Sequence, residues 1–205
     1  MKKTIWQPLV LGAVLGLLAG IATVTGLSFL TPGITANAIG FYVTLFLLAA
    51  ALGGPLAGAT APAVFVIVSA LFSPPEMKEI ITIPAVFWSN LLALGTTVAL
   101  VGFAYRLIFE RFKMPARLLP WAGIVIAYYF ISIPSSVTPQ YFLLGDPTSE
   151  ILPAVLYGYK IYIPQAIFDI FFTSLVFIAL PKRYCRPLWY EPKQAPAQNG
   201  EMPNE

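Results

Sequence analysis

The fold is decided by the stretch AIGFYVTLFLLAAALGGPLAGATAPAVFVIVSALF, which occupies residues 38–72 and contains no charged side chain. As a single helix it would be about 52 Å long at ~1.5 Å per residue, whereas the hydrocarbon core of a bilayer is only about 30 Å thick. The motif Gly53-Gly54-Pro55 stands near its middle, and it favours a turn because Pro lacks a backbone donor and Gly weakens a helix. The sequence therefore predicts two short helices here, about Ala38–Leu52 and Leu56–Phe72.

Four further apolar stretches flank this one, and they cover about Trp6–Leu30, Ile83–Tyr105, Leu118–Ile133 and Ile151–Leu180. The chain of 205 residues is 58% hydrophobic and 10% charged, with a mean hydropathy of +0.79. Soluble domains carry about 25% charged residues, and a chain this short cannot hide so much apolar surface from water. We therefore predict an all-α, polytopic transmembrane bundle in residues 1–190 with six spans, followed by a disordered cytoplasmic tail in residues 191–205.

The basic residues are distributed unevenly between the predicted loops. With six spans and both termini in the cytoplasm, 10 of the 12 Lys and Arg residues lie on the cytoplasmic side, and only Lys78 and Lys160 do not. This is the positive-inside pattern of an inner (cell) membrane protein. Five spans with an outer N-terminus give 8 against 4, because Lys2 and Lys3 change sides. A secretory signal ending near Ala36-Asn37-Ala38 is a further alternative, although the apolar run exceeds the ~7–15 residues of such signals.

The composition also excludes several function classes. The chain has no His and one Cys, Cys185, so it offers no imidazole ligand, no Ser-His-Asp triad and no Cys-rich metal site. It contains no phosphate-loop lysine, no H-E-x-x-H and no G-x-S-x-G motif. The basic residues cluster at membrane edges, which does not indicate nucleic-acid binding. We therefore expect a lipid-embedded protein that is not an enzyme and uses no metal or cofactor.

The last apolar stretch holds the polar residues that most strongly indicate a binding site. Asp169 falls at mid-span, where an ionised carboxylate is costly and generally faces the protein interior or a wet cavity. Gln165 and Tyr162 precede it on about the same helical face, and Lys160 lies one turn before Pro164. These side chains are candidates for binding a small solute. There is an alternative for each of two residues. Asp169 would instead bind another helix through structural hydrogen bonds, and Lys160 would extend to the outer surface.

Two other groups of residues are further candidates for the binding site. Trp88 and Asn90 form a polar-aromatic patch in the outer part of the third stretch, and Asn90 alternatively serves as an interhelical hydrogen-bonding residue. Tyr128, next to Tyr129, is a candidate cavity residue or a member of an interfacial aromatic belt. Trp121 lies nearer the inner edge, where the belt interpretation is favoured.

The first stretch carries a row of small residues, namely Gly12, Gly16, Ala19 and Gly20. Such a row allows another helix to approach closely in lipid. It predicts either a docking face for a partner membrane protein or close packing within the same bundle.

The chain resembles the substrate-binding S components of energy-coupling-factor (ECF) vitamin transporters. The resemblance covers about residues 5–185 and rests on six short-looped spans, the small-residue first helix, a last helix ending near Pro181, and the segment Gly40-Phe41-Tyr42-Val43-Thr44 leading to Gly53-Gly54-Pro55-Leu56-Ala57-Gly58. It implies capture of a vitamin-like solute near the outer face. It also implies a transmembrane coupling subunit, docked through the first-helix small residues, and two cytoplasmic ATPases. The usual Ala-x-x-x-Ala docking pattern is mostly replaced by Gly.

Two hypotheses of other classes stay open beside this one. The first is a membrane sensor or accessory subunit that moves no solute, which a five-helix topology and an interior sealed by Asn90 and Asp169 would favour. The second is a stand-alone carrier or channel, but the chain shows neither an inverted repeat nor several buried charges.

Overall fold

The computed structural model describes residues 5–25, 28–30, 38–73, 75, 78–79, 82–180 and 187–188. Within these residues the elements are α1 (Trp6–Val24), β1 (Ser28–Leu30), β2 (Ala38–Gly40), α2 (Phe41–Phe72), α3 (Pro84–Arg111), α4 (Leu118–Leu144), a short 3-10 helix (Thr148–Glu150) and α5 (Ile151–Ala179). The two strands pair antiparallel, with Ser28 opposite Gly40. Five helices are long and apolar enough to cross a membrane. The predicted tail, residues 191–205, lies outside the described residues.

Helix α2 folds back on itself at Gly54. Its backbone is helical from Phe41 to Phe72 except at this residue, where φ is 78° and ψ is −168°. The rings of Tyr42 and Phe65 stack with centroids 5.5 Å apart, whereas 23 residues of uninterrupted helix would separate them by about 34 Å. The two arms, residues 41–53 and 55–72, are therefore antiparallel. The predicted turn is confirmed in position, but the first arm begins at Phe41, because residues 38–40 form β2 instead of helix.

The small residues of α1 pack against the second arm of α2. A Cβ added to Gly12 would lie 2.6 Å from the carbonyl oxygen of Ala57, and one added to Gly20 would lie 2.5 Å from Val68. Gly16 faces the backbone of Ala61 in the same way. The four residues of the row, Gly12, Gly16, Ala19 and Gly20, are all buried. The predicted partner-docking face is thus corrected, because this surface is already occupied by the chain's own α2, in agreement with the packing alternative.

Helices α3 and α4 are longer than the hydropathy predicts. Helix α3 continues beyond Tyr105 to Arg111, and its exposed end carries the Arg106–Glu110 ion pair at 3.4 Å. Helix α4 continues beyond Ile133 to Leu144 although Pro134 and Pro139 lie inside it. Polar and proline residues lower the hydropathy of these ends, but a helix does not stop where hydrophobicity falls.

The last helix, α5, buries polar residues and exposes apolar ones, which is the reverse of a helix on the surface of a protein in water. Its buried residues include Gln165, Asp169 and Thr173. Between them, Ile167 and Phe171 are 63% and 67% exposed. Since polar groups inside and apolar groups outside are stable only where the surroundings are apolar, this arrangement is typical of a multi-pass membrane protein.

Candidate functional site

The carboxyl group of Asp169 is the centre of a buried polar cluster. Its side chain is 0% exposed. The Thr44 hydroxyl donates to Oδ1 at 2.5 Å, the Tyr129 hydroxyl donates to Oδ2 at 2.5 Å, and Gln165 Nε2 donates to Oδ1 at 3.0 Å. Three helices, α2, α4 and α5, therefore meet at one side chain. We call Asp169 with Tyr42, Thr44, Tyr128, Tyr129, Tyr162 and Gln165 the Asp169 cluster.

Gln165 joins this cluster to the backbone at the end of β2. Its Oε1 accepts from the Gly40 N–H at 2.8 Å, and its Nε2 donates to the Gly40 carbonyl at 2.9 Å. This pair of bonds determines the orientation of the amide, because the Gly40 N–H can only meet an acceptor. The Nε2 atom must therefore face Asp169, and its bond to the carboxyl oxygen is a true donation.

The pairing between α2 and α5 has a simple register. Gly40 meets Gln165 and, four residues later in both elements, Thr44 meets Asp169. Residues four apart lie on the same helical face, so both contacts belong to one seam. Further along the same face of α5, Thr173 accepts a hydrogen bond from the Trp121 indole at 2.7 Å. Trp121, predicted to be a belt residue, is instead 0% exposed, because its N–H finds a partner inside the bundle.

Four tyrosines surround the carboxyl group. The rings of Tyr128 and Tyr129 meet edge to face at 5.0 Å, and those of Tyr129 and Tyr162 lie 6.1 Å apart. The Tyr42 hydroxyl interacts with that of Tyr162 and lies within electrostatic range of Tyr128 and Asp169. Tyr128 and Tyr129 are buried, whereas Tyr42 and Tyr162 are partly exposed. The cluster thus has a closed inner side and a more open side formed by these two residues.

The cluster lies at mid-depth in the bundle. Gln165 is the fifteenth of the 29 residues of α5, which begins at Ile151 and ends at Ala179, so Gly40 sits about 21 Å from either end of that helix. Non-helical backbone at such a depth is tolerated only where protein or a cavity satisfies its polar groups. Gln165 satisfies both polar groups of Gly40, which explains how β2 can end inside the bundle.

The remaining predicted site residues lie apart from this cluster. Asn90 accepts hydrogen bonds from Ser136 at 2.9 Å and Gln140 at 3.3 Å, and so links α3 to α4. This geometry fits the interhelical alternative. Trp88 is 55% exposed and its ring pairs with Phe87. Lys160 is exposed as well, which fits the alternative that its side chain extends to the outer surface.

Tyr42, Thr44 and Gly40 were not predicted as site residues. Their stretch was assigned to the turn-forming apolar hairpin, and a lone Thr or Tyr in such a run carries no signal by itself. Gly40 and Thr44 share the four-residue spacing of Gln165 and Asp169, but such a spacing does not by itself show which two helices pair.

Asp169 lines neither of two concave regions on the described surface. A groove of about 100 Å³ between α3 and α4 reaches Tyr128, which is smaller than the ~300–1,000 Å³ of ordinary ligand sites. A larger apolar concavity of about 410 Å³ lies on α1 between Trp6 and Val14, away from any polar cluster. The structure therefore describes the Asp169 cluster in a closed form.

Comparison of the chain with protein-family models, curated proteins and solved structures finds no match. The resemblance to S components rests on the residues quoted in the sequence.

Proposed function

We propose that the protein is an integral membrane solute-binding subunit that captures a small, vitamin-like molecule at the Asp169 cluster from the outer face. The observation that carries the proposal is the concentration of one carboxyl group and four tyrosine hydroxyls at mid-depth. Ionisable residues inside a membrane bundle are expensive and rare, and they commonly mark the path or site of a solute. A purely structural contact between three helices would not need so many polar groups in one place.

The proposal includes a route by which the closed cluster opens. The contact between Gly40 and Gln165 consists of two hydrogen bonds between neutral groups, each worth about 0.5–1.5 kcal/mol net. Releasing it, together with the Thr44–Asp169 bond and the packing of Phe41 on α5, would free the N-terminal end of α2 beside the partly exposed Tyr42 and Tyr162. Discontinuous helices at the membrane midplane are typical of transporter binding sites.

Six crossings, with both termini in the cytoplasm of an inner-membrane protein, belong to the same proposal. The antiparallel arms of α2 support them. In this topology the first arm, residues 41–53, crosses the inner half of the bilayer, and β2, which ends at Gly40, lies in the outer half.

Cysteine labelling tests this topology at two positions in a Cys185→Ser background. With six crossings, Lys3→Cys and Lys113→Cys lie on the same side and react with an impermeant maleimide only after permeabilisation. With five crossings the two positions lie on opposite sides whichever way the chain inserts. Labelling of one of them alone in intact cells would therefore exclude six crossings. Lys78→Cys serves as the control that reacts from outside.

Energy for transport would come from other chains, because this sequence contains no ATP-binding motif. We propose a transmembrane coupling subunit and cytoplasmic ATPases as partners, as the resemblance to ECF systems implies. Because α2 occupies the small-residue row of α1, a coupling subunit would contact another surface of the bundle.

Native mass spectrometry of the protein, extracted in mild detergent from its own host, tests both the solute and the partners. We expect a bound small molecule that is lost in Asp169→Asn and retained in the control Asn90→Ala, together with co-purifying ATPases. A protein that carries no solute and associates with a large complex without ATPases would contradict the proposal.

That second outcome would favour the accessory-subunit alternative. One observation supports this alternative directly, since Thr44, Tyr129 and Gln165 together donate three hydrogen bonds to the Asp169 carboxyl group. In that case the cluster would be a polar lock that fixes α2, α4 and α5.

A further inference from the structure

We infer that the solute carries a positive charge, as an organic ammonium or a similar cation. This inference rests on the proposed function and adds the chemical class of its substrate. It is carried by the balance of charge around Asp169, together with the nature of the groups that surround it.

The buried interior contains an acid and no base among the residues that the structure describes. Asp169 is fully buried. Lys78, Arg106, Arg111, Lys113 and Lys160 are exposed, and Arg117 is partly buried and donates to the carbonyls of Phe109 and Phe112. A buried carboxylate is ordinarily paired with a cation. Here none of the described Lys or Arg side chains takes that role, so the countercharge is left for a solute to supply once the cluster opens.

The neutral donors around Asp169 compensate its charge only in part. Thr44, Tyr129 and Gln165 donate hydrogen bonds, and Thr44 stands near the start of α2, whose N-terminus contributes about half an elementary positive charge. These groups keep the carboxylate in place in the absence of solute. They do not supply a full countercharge, so a cation approaching the cluster still gains Coulomb energy in surroundings of low dielectric constant.

The tyrosines fit a cation for two reasons. Their hydroxyl oxygens can accept hydrogen bonds from an ammonium group, and their ring faces attract a cation within about 6 Å of the centroid. Tyr42 and Tyr162 are partly exposed and lie on the open side of the cluster. A solute entering there meets tyrosine first and the carboxylate behind it.

An anionic solute finds no comparable partner. The only lysine of α5, Lys160, is exposed and lies more than two helical turns from Asp169. An anion placed among the tyrosines would instead face the like charge of Asp169. The weak indication of an anionic solute that Lys160 offers in the sequence is therefore outweighed.

Three probes of matched shape and different charge test the inference on the full chain in lipid nanodiscs. They are choline, its neutral isostere 3,3-dimethylbutan-1-ol, and the anion 3,3-dimethylbutanoate, each titrated by isothermal calorimetry. We expect choline to bind at least about tenfold more tightly than the alcohol and the anion not to bind, because only the cation pairs with the carboxylate. Equal or tighter binding of the alcohol or the anion would overturn the inference, as would the absence of choline binding.

Variants then assign the effect to the cluster. Asp169→Asn should reduce choline affinity to that of the neutral probe, and unchanged choline affinity in this variant would overturn the inference. If Asp169→Asn does not fold, Tyr162→Leu takes its place and should weaken choline by about threefold, through loss of one ring face that attracts the cation. Tyr159→Leu, on the same helix but with its hydroxyl bonded to the Phe130 carbonyl, should leave choline affinity unchanged.

Failure here is distinguishable from failure of the proposed function. If native mass spectrometry detects a bound solute that is neutral or anionic, the charge assignment is wrong and the binding function stands. If neither a native solute nor any probe binds, both fall.

Discussion

Helices in this bundle are held together in two different ways, and the seam between α1 and α2 contrasts with the Asp169 cluster. At the seam, glycines let one backbone touch another, as Gly16 does with Ala61. In the cluster, polar side chains from three helices converge on Asp169. Lipid is as apolar as the side chains themselves, so helices associate through close packing or hydrogen bonds and not through a hydrophobic driving force. The seam tolerates no added atom, whereas the cluster can exchange one hydrogen-bond partner for another.

The largest effect is expected at the seam. Gly16→Leu places a large side chain against the Ala61 backbone, and we expect a loss of about 3 kcal/mol or more in stability, since overpacking cannot be relieved by a main chain. The measurement is the melting temperature and the yield of monodisperse protein in detergent. Val14→Leu is the matched control, because Val14 is 48% exposed on the same helix and should behave as wild type. A normal melting temperature for Gly16→Leu would show that α1 does not pack on α2 in this way.

Asp169→Asn is expected to have an intermediate effect. The shape is retained but the charged acceptor becomes neutral and gains an N–H₂ group that faces donors, so we expect a loss of about 1–3 kcal/mol. The loss should appear in thermal unfolding of the protein without solute. A gain in stability instead would show that the carboxyl group is kept for binding at a cost to the fold, and would weaken the polar-lock alternative.

The smallest effect separates two tyrosines that each donate one hydrogen bond, Tyr129 in the buried cluster and Tyr159 near the surface. Tyr129→Phe removes one hydrogen bond to the carboxyl group and should cost about 1 kcal/mol. Tyr159→Phe removes a hydrogen bond to the Phe130 carbonyl near the protein surface and should cost less than about 0.5 kcal/mol. The difference between the two melting temperatures measures how much more stability the hydroxyl bond to Asp169 contributes than an ordinary hydroxyl hydrogen bond. Equal losses would indicate that Asp169 gives the Tyr129 hydroxyl no special strength.

Much of the candidate site was readable from one helix. The four-residue spacing of Gln165 and Asp169 placed both on the inner face of α5, and an acid inside an apolar run indicated a buried site. Tyr162 was identified from the same helical face, whereas Tyr128, in another stretch, was a candidate cavity or belt residue. Trp88 and Asn90 were chosen because they are polar or aromatic within a span, but this criterion does not distinguish a cavity from a lipid-facing surface or an interhelical contact.

The sequence by itself determined that this is a chain for an apolar solvent and that it reverses direction at Gly53-Gly54-Pro55, because hydropathy and backbone chemistry are local properties. Only the tertiary structure decided that α2 covers the small-residue row of α1, that Trp121 is buried, and that Gly40 and Thr44 meet Gln165 and Asp169. Those contacts join residues 45 to 125 positions apart, and their partners depend on how helices rotate about their axes. Hydropathy does not report that rotation when nearly every face of a helix is apolar.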